Sequence, residues 1–236
     1  MKIILKNLWF FILDVLFPLQ CLDCKTPKTL LCEKCLEKIP INQTLFCAVC
    51  HRRLALNKKI CHLKAPYILA PAGSYENPVL RELILTLKYR RLKPIAEILA
   101  IILNRYIKTL NLNLQKYEII PVPLHKIRKK ERSFNQAEFI STALFTLNPN
   151  LGKSDFPRLD YLKRIKNNKP QARIKNYDKR KENISGCFQA VNTENIKGKN
   201  IILLDDVSTS GATLEEAAKI LKKAGAKKII GLVVAK

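Results

Sequence analysis

Several features that define common classes of α/β protein are missing from this chain of 236 residues. No GxGxxG and no GxxxxGK(S/T) motif occurs, which argues against the usual dinucleotide-binding and P-loop sites. Acidic residues are also scarce, because 19 Asp and Glu stand against 43 Lys and Arg and leave a net charge of +24. This excess predicts attraction to polyanions such as nucleic acid, a phosphorylated ligand or an acidic membrane face.

The amino-terminal segment, residues 1–18, lacks an uncharged apolar run long enough to cross a membrane. Lys6 and Asp14 interrupt it, whereas a spanning helix needs about 18 or more apolar residues. No small-x-small cleavage site follows its positively charged start, so it does not match an export signal. We therefore expect an amphipathic helix that packs on the body of a cytoplasmic protein. Peripheral contact with the inner face of the membrane is the alternative.

Cysteine is nearly absent from most of the chain, since seven of the eight cysteines lie between Cys21 and Cys61. Pairs with two intervening residues can present both thiolates to one metal ion. Disulfides would suit a secreted chain, and no export signal is present. The spacing predicts a structural zinc ribbon over residues 19–66, with disulfide or redox use as the alternative. Its closed tetrahedral site is predicted to consist of Cys21, Cys24, Cys32 and Cys35.

A second set of cysteines in the same region is incomplete. Cys47, Cys50 and Cys61 supply three ligands for a second zinc ion, and His62 or His51 is the candidate for the fourth. Because Cys61 and His62 are adjacent, we expect that both could reach one metal ion only through a strained turn. A degenerate ribbon that keeps its fold without this metal is the alternative.

The stretch from Ile201 to Thr213, IILLDDVSTSGAT, carries the most chemical information. Four aliphatic residues predict a strand buried on both faces, as in a parallel sheet. Asp205 and Asp206 then follow at the carboxyl end of the strand, where open α/β sheets bind ligands. The next residues form a turn into an amphipathic helix, whose first amide groups are unpaired and fit a phosphate. The predicted phosphate-binding residues are Thr209, Ser210, Gly211, Ala212 and Thr213.

This order of residues resembles the phosphoribosyl pyrophosphate (PRPP) motif of type I phosphoribosyltransferases. The resemblance implies that Asp205 and Asp206 are the catalytic pair beside the ribose hydroxyls, and that the loop binds the 5′-phosphate. It also implies Mg²⁺, bound together with PRPP. The plain alternative is a generic strand end, because acids also follow apolar strands in dinucleotide and phospho-acceptor folds.

Two basic segments accompany this motif. The first, PVPLHKIRKKERSFNQAEF, is predicted to be a loop on the same side of the sheet, where Arg128 and Arg132 can bind a pyrophosphate. A solvated charged loop is the alternative there. The second runs from Leu162 to Phe188 and is predicted to be mobile. It would either close over the site or follow a nucleic-acid backbone.

Strands alternate with helical patterns over residues 67–236, which predicts an α/β domain with a mainly parallel sheet and helices on both faces. Together with the cysteine pairs, LKYRR at 87–91, PVPLHxxRxxxRxFNQA and LxRxxxxxPQ…R-x2-N…F resemble the ComF family of competence-associated proteins. The resemblance implies a zinc ribbon fused to a type I phosphoribosyltransferase-like domain.

The ComF resemblance also implies a function in natural transformation. PRPP or a related sugar phosphate and single-stranded DNA are the ligands that it implies, with a helicase-like translocase and a DNA-processing protein as partners. An active Mg²⁺-dependent phosphoribosyltransferase of nucleotide salvage or metabolism is the alternative.

Two positions depart from the ComF pattern. Ser133 stands where family members usually have glycine, and it would be strained if this position requires a positive φ. Lys64 stands in the partner place of Cys61, so the second zinc set lacks a cysteine.

Overall fold

The computed structural model describes residues 19–54, 61–62, 64–90, 92–110, 113–148, 156–168, 171, 174 and 176–236. The predicted amino-terminal helix, residues 1–18, lies outside the described residues, as do Lys169, Arg173 and Lys175 of the second basic segment. Within the described part of the chain, no helix is both long enough and apolar enough to span a membrane.

The chain divides into two compact units, Met1–Pro40 and Ile41–Lys236. The three-part division with boundaries at residues 18 and 66 stays a prediction. In the first unit, helix α1 (Glu33–Lys38) begins directly after Cys32 and buries Cys35. Its acidic first turn and basic last turn both complement the helix dipole.

The second unit is built on a five-stranded sheet. Its strands are β1 (Phe46–Cys47), β2 (Ile68–Gly73), β3 (Tyr117–Pro121), β6 (Asn200–Val207) and β7 (Lys228–Ala235). They lie in the order β1-β2-β7-β6-β3, and all neighbours are parallel except β1, which pairs antiparallel with β2. A separate antiparallel pair is formed by β4 (Leu162–Arg164) and β5 (Phe188–Ala190).

Helices connect these strands. The α-helices are α2 (Pro78–Leu85), α3 (Ile95–Thr109), α4 (Lys126–Arg132), α5 (Gln136–Leu147), α6 (Tyr177–Ile184), α7 (Thr193–Ile196) and α8 (Ala212–Lys223). A π-helix over Thr86–Arg90 continues α2, and a short 3-10 helix over Leu114–Lys116 precedes β3.

Strand β6 lies in the interior of the sheet and is covered on both faces. Ile201 and Leu203 belong to the core cluster that contains the apolar face of α8. Because side chains alternate along a strand, Ile202 and Leu204 point to the opposite face, and α5 packs against β3 and β6. All four aliphatic side chains are buried. The predicted mainly parallel sheet with helices on both faces is confirmed.

The two basic segments contain more regular structure than a loop. In the first, α4 starts where His125 Nδ1 accepts a hydrogen bond from Ile127 N, and it ends at Ser133. In the second, α6 starts where Asn176 Oδ1 accepts from the amides of Asp178 and Lys179. Side-chain caps of this kind pair amide groups that a helix start leaves unsatisfied. They explain why short, polar, highly charged sequences are helical here.

Tyr67, which directly precedes β2, lies against two glycines. A Cβ atom added to Gly231 of β7 would be 2.8 Å from Tyr67 Cδ2, and one added to Gly211 would be 2.9 Å from Tyr67 Oη. Both distances are shorter than carbon–carbon or carbon–oxygen contacts allow. The buried ring therefore fits only because both positions lack a side chain, and it joins β7 to the loop that precedes α8.

We expect Gly231→Ala to lower the free energy of unfolding by about 1–3 kcal/mol, because the added methyl group overpacks the Tyr67 ring. Urea unfolding monitored by circular dichroism measures the change. Lys228→Ala, at the exposed start of the same strand, is the control and should alter stability by less than about 0.5 kcal/mol. Equal unfolding midpoints for both variants would contradict this account of the packing.

Candidate functional site

The end of β6 places two carboxylates at the carboxyl edge of the sheet. Asp205 and Asp206 line a cavity of about 200 Å³ in the second unit, and the Asp206 amide donates a 2.8 Å hydrogen bond to Asp205 Oδ1. Burial and the adjacent Asp206 carboxylate raise the pKa of Asp205 to about 7. Two acids confined in this way attract cationic groups, and the cavity supplies several.

The loop between β6 and α8 forms the floor of the same cavity. Gly211 precedes α8 with a φ of 78°, a left-handed conformation that glycine adopts without strain. The first amide groups of α8 lie at the cavity, and one of them, Ala212 N, is 3.4 Å from Ser210 Oγ. Ser208 Oγ is buried and has no hydrogen-bond partner among the residues that the structure describes. The loop therefore offers donors to an anion.

The structure brings all nine predicted ligand-binding residues to one cavity. They are Asp205, Asp206, Thr209, Ser210, Gly211, Ala212, Thr213, Arg128 and Arg132. Arg132 donates to Gln136 Oε1 at 3.0 Å, and Arg128 donates to Asn167 Oδ1 at 3.3 Å and to the Asn168 carbonyl. The two arginines lie on α4, which follows β3, and the acids lie at the end of β6, so both groups meet at the carboxyl edge that these parallel neighbours share.

Ser133 does occupy a position with positive φ. Its φ of 68° is left-handed, and it ends α4 between Arg132 and the buried Phe134. A serine in this conformation costs about 1–2 kcal/mol that a glycine would not. The chain tolerates this strain at the point where it turns Arg132 toward the cavity.

Three further cations line the cavity and were not assigned to the site from sequence. Lys88 Nζ lies 3.0 Å from Asp206 Oδ2, and Arg180 Nη1 donates to Thr209 Oγ1 at 3.1 Å. The guanidinium of Arg164 lies 5.6 Å from the centre of the Phe188 ring. Lys88 lies in the LKYRR pattern, Arg164 in LxR and Arg180 in R-x2-N. Their positions in these family patterns are the sequence signal by which they could have been assigned to the site.

The first unit contains a group of four cysteines that can hold a zinc ion. The Sγ atoms of Cys21, Cys24, Cys32 and Cys35 all lie within 4.8 Å of one another. Cys24 Sγ and Cys32 Sγ are 3.5 Å apart, close to the roughly 3.8 Å that tetrahedral geometry requires at a Zn–S distance of about 2.3 Å. A hydrogen bond with the Thr26 hydroxyl lowers the pKa of the Cys24 thiol to about 6, which favours the thiolate that zinc binds.

The second unit contains a Cys₃His group that can also hold zinc. Cys47, Cys50, Cys61 and His62 place their ligand atoms within 4.8 Å of one another. His62 Nδ1 is 3.4 Å from both Cys47 Sγ and Cys61 Sγ. Although Cys61 and His62 are adjacent in sequence, both place their ligand atoms in the same group. Nδ1 is the ring nitrogen nearer the backbone, so the imidazole can reach beside the preceding cysteine.

Comparison with known proteins matches residues 94–236 to the phosphoribosyl transferase domain. Competence protein F of Haemophilus influenzae is 35% identical over 113 residues, 47% of this chain and 46% of that protein. Competence protein ComFC of Bacillus subtilis is 36% identical over 109 residues, 46% of this chain and 40% of that protein. Ribose-phosphate pyrophosphokinase of Thermococcus kodakarensis is 50% identical over 34 residues, 14% of this chain and 12% of that protein.

The matched segments span less than half the length of each of these curated relatives. Two of them are competence proteins, and they confirm the resemblance that the sequence motifs indicated.

We expect His62→Asn to lose one of two bound zinc ions per chain, because an amide replaces the imidazole ligand. His51→Asn is the matched control, since His51 lies in the same region but outside the ligand group, and asparagine tolerates its φ of 56°. Elemental analysis of protein purified with zinc gives the number of zinc ions per chain for each variant. Two zinc ions in both variants would exclude His62 as a ligand, and one zinc ion in the unmodified protein would contradict a second site.

Proposed function

Because this chain belongs to the phosphoribosyl transferase domain family, we propose that its cavity binds PRPP together with Mg²⁺. The convergence of an acidic pair, a phosphate-binding turn and two arginines from separate segments carries the proposal. PRPP has a matching distribution of chemistry, with hydroxyls at the centre of the molecule and phosphate groups at both ends.

Each part of the cavity suits one part of this ligand. Asp205 and Asp206 accept hydrogen bonds from the ribose hydroxyls, and the turn from Thr209 to Thr213 donates to the 5′-phosphate. Arg128 and Arg132 bind the pyrophosphate through charge-assisted hydrogen bonds. When bound with the ligand beside the acidic pair, Mg²⁺ neutralises charge on the pyrophosphate.

The same arrangement can assist phosphoribosyl transfer, in which pyrophosphate leaves C1 of the ribose through an oxocarbenium-like state. The arginines stabilise negative charge that grows on the leaving group, and the acids stabilise positive charge on the ribose ring. Positioning and charge stabilisation contribute more to such a reaction than a general base does. An active transferase is therefore a chemically consistent second function of this cavity.

The test is isothermal titration of the zinc-loaded protein with PRPP and Mg²⁺, with ribose 5-phosphate for comparison. We expect tighter binding of PRPP, because only PRPP engages the arginines, and a loss of at least about a hundredfold in Asp205→Asn/Asp206→Asn. Asp160→Asn, which removes an exposed carboxylate beside Arg158, is the control and should bind as the unmodified protein does. Unchanged PRPP affinity in the double variant would refute the proposal.

We propose single-stranded DNA as a second ligand, bound outside the cavity, in keeping with the competence proteins among the relatives. Besides its two cavity arginines, helix α4 carries Lys126, Lys129 and Lys130 outside the cavity lining, and it buries none of its side chains. With a net charge of +24, such a surface suits a phosphate backbone. A function in DNA uptake, with a translocase and a DNA-processing protein as partners, is the cellular context that we propose.

Fluorescence anisotropy of labelled oligothymidylate across a salt series tests DNA binding. The logarithm of affinity should fall with the logarithm of salt at about 0.7 per neutralised phosphate, so Lys126→Gln/Lys130→Gln should reduce the slope by about 1.4. Both lysines are exposed on α4 and lie outside the residues that line the cavity.

Lys227→Gln/Lys228→Gln removes the same charge at an exposed site elsewhere and should change the slope less. Equal slopes for the two double variants, or binding that does not depend on salt, would refute this second ligand. PRPP titration of the α4 variant keeps the two proposals separate, since its cavity is intact.

A further inference from the structure

Lys88 is held on the buried side of a helix. A spacing of four residues aligns it with Leu80 and Ile84, both of which are fully buried. It lies in the π-helix Thr86–Arg90, a rare geometry that occurs frequently at functional sites. Its neighbour Arg90 is instead exposed and pairs with Glu82 at 3.5 Å.

Among the residues described, the Lys88 ammonium forms its ion pair with Asp206. Nζ lies 3.0 Å from Asp206 Oδ2, with 19% of the lysine side chain and 10% of the aspartate side chain exposed. Burial opposes the charge of Lys88, but the Asp206 carboxylate more than offsets it and holds the pKa of the ammonium above its ordinary value. The pair is therefore a preformed ionic contact with little water around it.

In the Lys88–Asp206 ion pair, the ammonium occupies the position beside the Asp206 carboxylate that a bound metal ion would need. Mg²⁺ binds carboxylate oxygens at about 2.0–2.1 Å, so an ion on Asp206 Oδ2 would lie within about 5 Å of the Lys88 ammonium. Charges of the same sign repel strongly at that distance in a poorly solvated cavity.

The rest of the cavity adds to this repulsion. Among the described residues, its charged lining comprises two carboxylates and five cations, namely Asp205, Asp206, Lys88, Arg128, Arg132, Arg164 and Arg180. A free divalent cation meets an excess of positive charge there, whereas an anionic ligand is attracted.

We infer that Lys88 is the counter-ion of Asp206 in the ligand-free protein and excludes a free divalent cation from the acidic pair. Metal then enters only together with an anionic ligand, whose charge draws the ammonium away from Asp206. This last consequence rests on the proposed function, whereas the exclusion of free metal depends only on the Lys88–Asp206 contact.

Mn²⁺ is the probe for this inference, with the free ion counted by electron paramagnetic resonance in zinc-loaded protein without any sugar phosphate. Lys88→Met keeps the length of the side chain and removes its charge, so we expect Mn²⁺ to bind at least tenfold more tightly than to the unmodified protein. Arg90→Met is the matched control from the same π-helix and should bind Mn²⁺ as the unmodified protein does. Lys88→Met/Asp206→Asn should lose the gain.

Equal Mn²⁺ affinity of the unmodified protein and a folded Lys88→Met variant would overturn the inference. A gain in Mn²⁺ affinity that persists in Lys88→Met/Asp206→Asn would also overturn it. If Lys88→Met leaves Asp206 too poorly compensated to fold, Lys88→Met/Asp206→Asn should restore folding, and its failure would also overturn the inference. A Mn²⁺ gain without any PRPP binding would contradict the proposed function alone.

Discussion

The burial of four consecutive aliphatic residues of β6, residues 201–204, on both faces of the sheet fixes the position of the site. Its aliphatic residues are covered by α8 on one face and by α5 on the other, and the strand ends at Val207, directly after Asp205 and Asp206. Asp205 and Asp206 therefore mark the carboxyl edge, and the chain turns there into α8 through Gly211. Because β3 is the parallel neighbour of β6, its following segment must emerge at the same edge with Arg128 and Arg132.

The arrangement of these segments also sets the distribution of charge around the cavity. A strongly basic chain concentrates cations around two partly or largely buried carboxylates, and each charge depends on the others for compensation. Lys88 offsets Asp206, while Arg180 donates to the hydroxyl of Thr209 in the turn that precedes α8. The net positive charge suits an anionic ligand. The packing of Tyr67 against Gly211 and Gly231 keeps the turn close to the sheet, so the same contacts contribute to the fold and to the shape of the cavity.

The two groups of potential zinc ligands can stabilise the chain in a different way. Neither group leaves an open ligand position, because each already supplies four ligand atoms to a tetrahedral ion, as structural zinc sites do. The first lies in the small unit that contains α1, where the described residues include few buried apolar side chains that could form a core. The second lies beside β1 at the edge of the main sheet. Metal bound at these groups would therefore add stability where hydrophobic burial is limited.

The features that depend only on neighbouring residues could be predicted from the sequence. They are the buried strand with Asp205 near its end, the turn at Gly211 and the Cys-x2-Cys pairs. These follow from local periodicity and from the reach of one turn of chain. Contacts between side chains that are distant in sequence became known only from the folded structure. Lys88 and Asp206 are far apart in sequence, as are Arg180 and Thr209. His62 likewise joins Cys47 across a separation of 15 residues. Such pairings depend on how helices and strands pack, and local patterns do not encode that geometry.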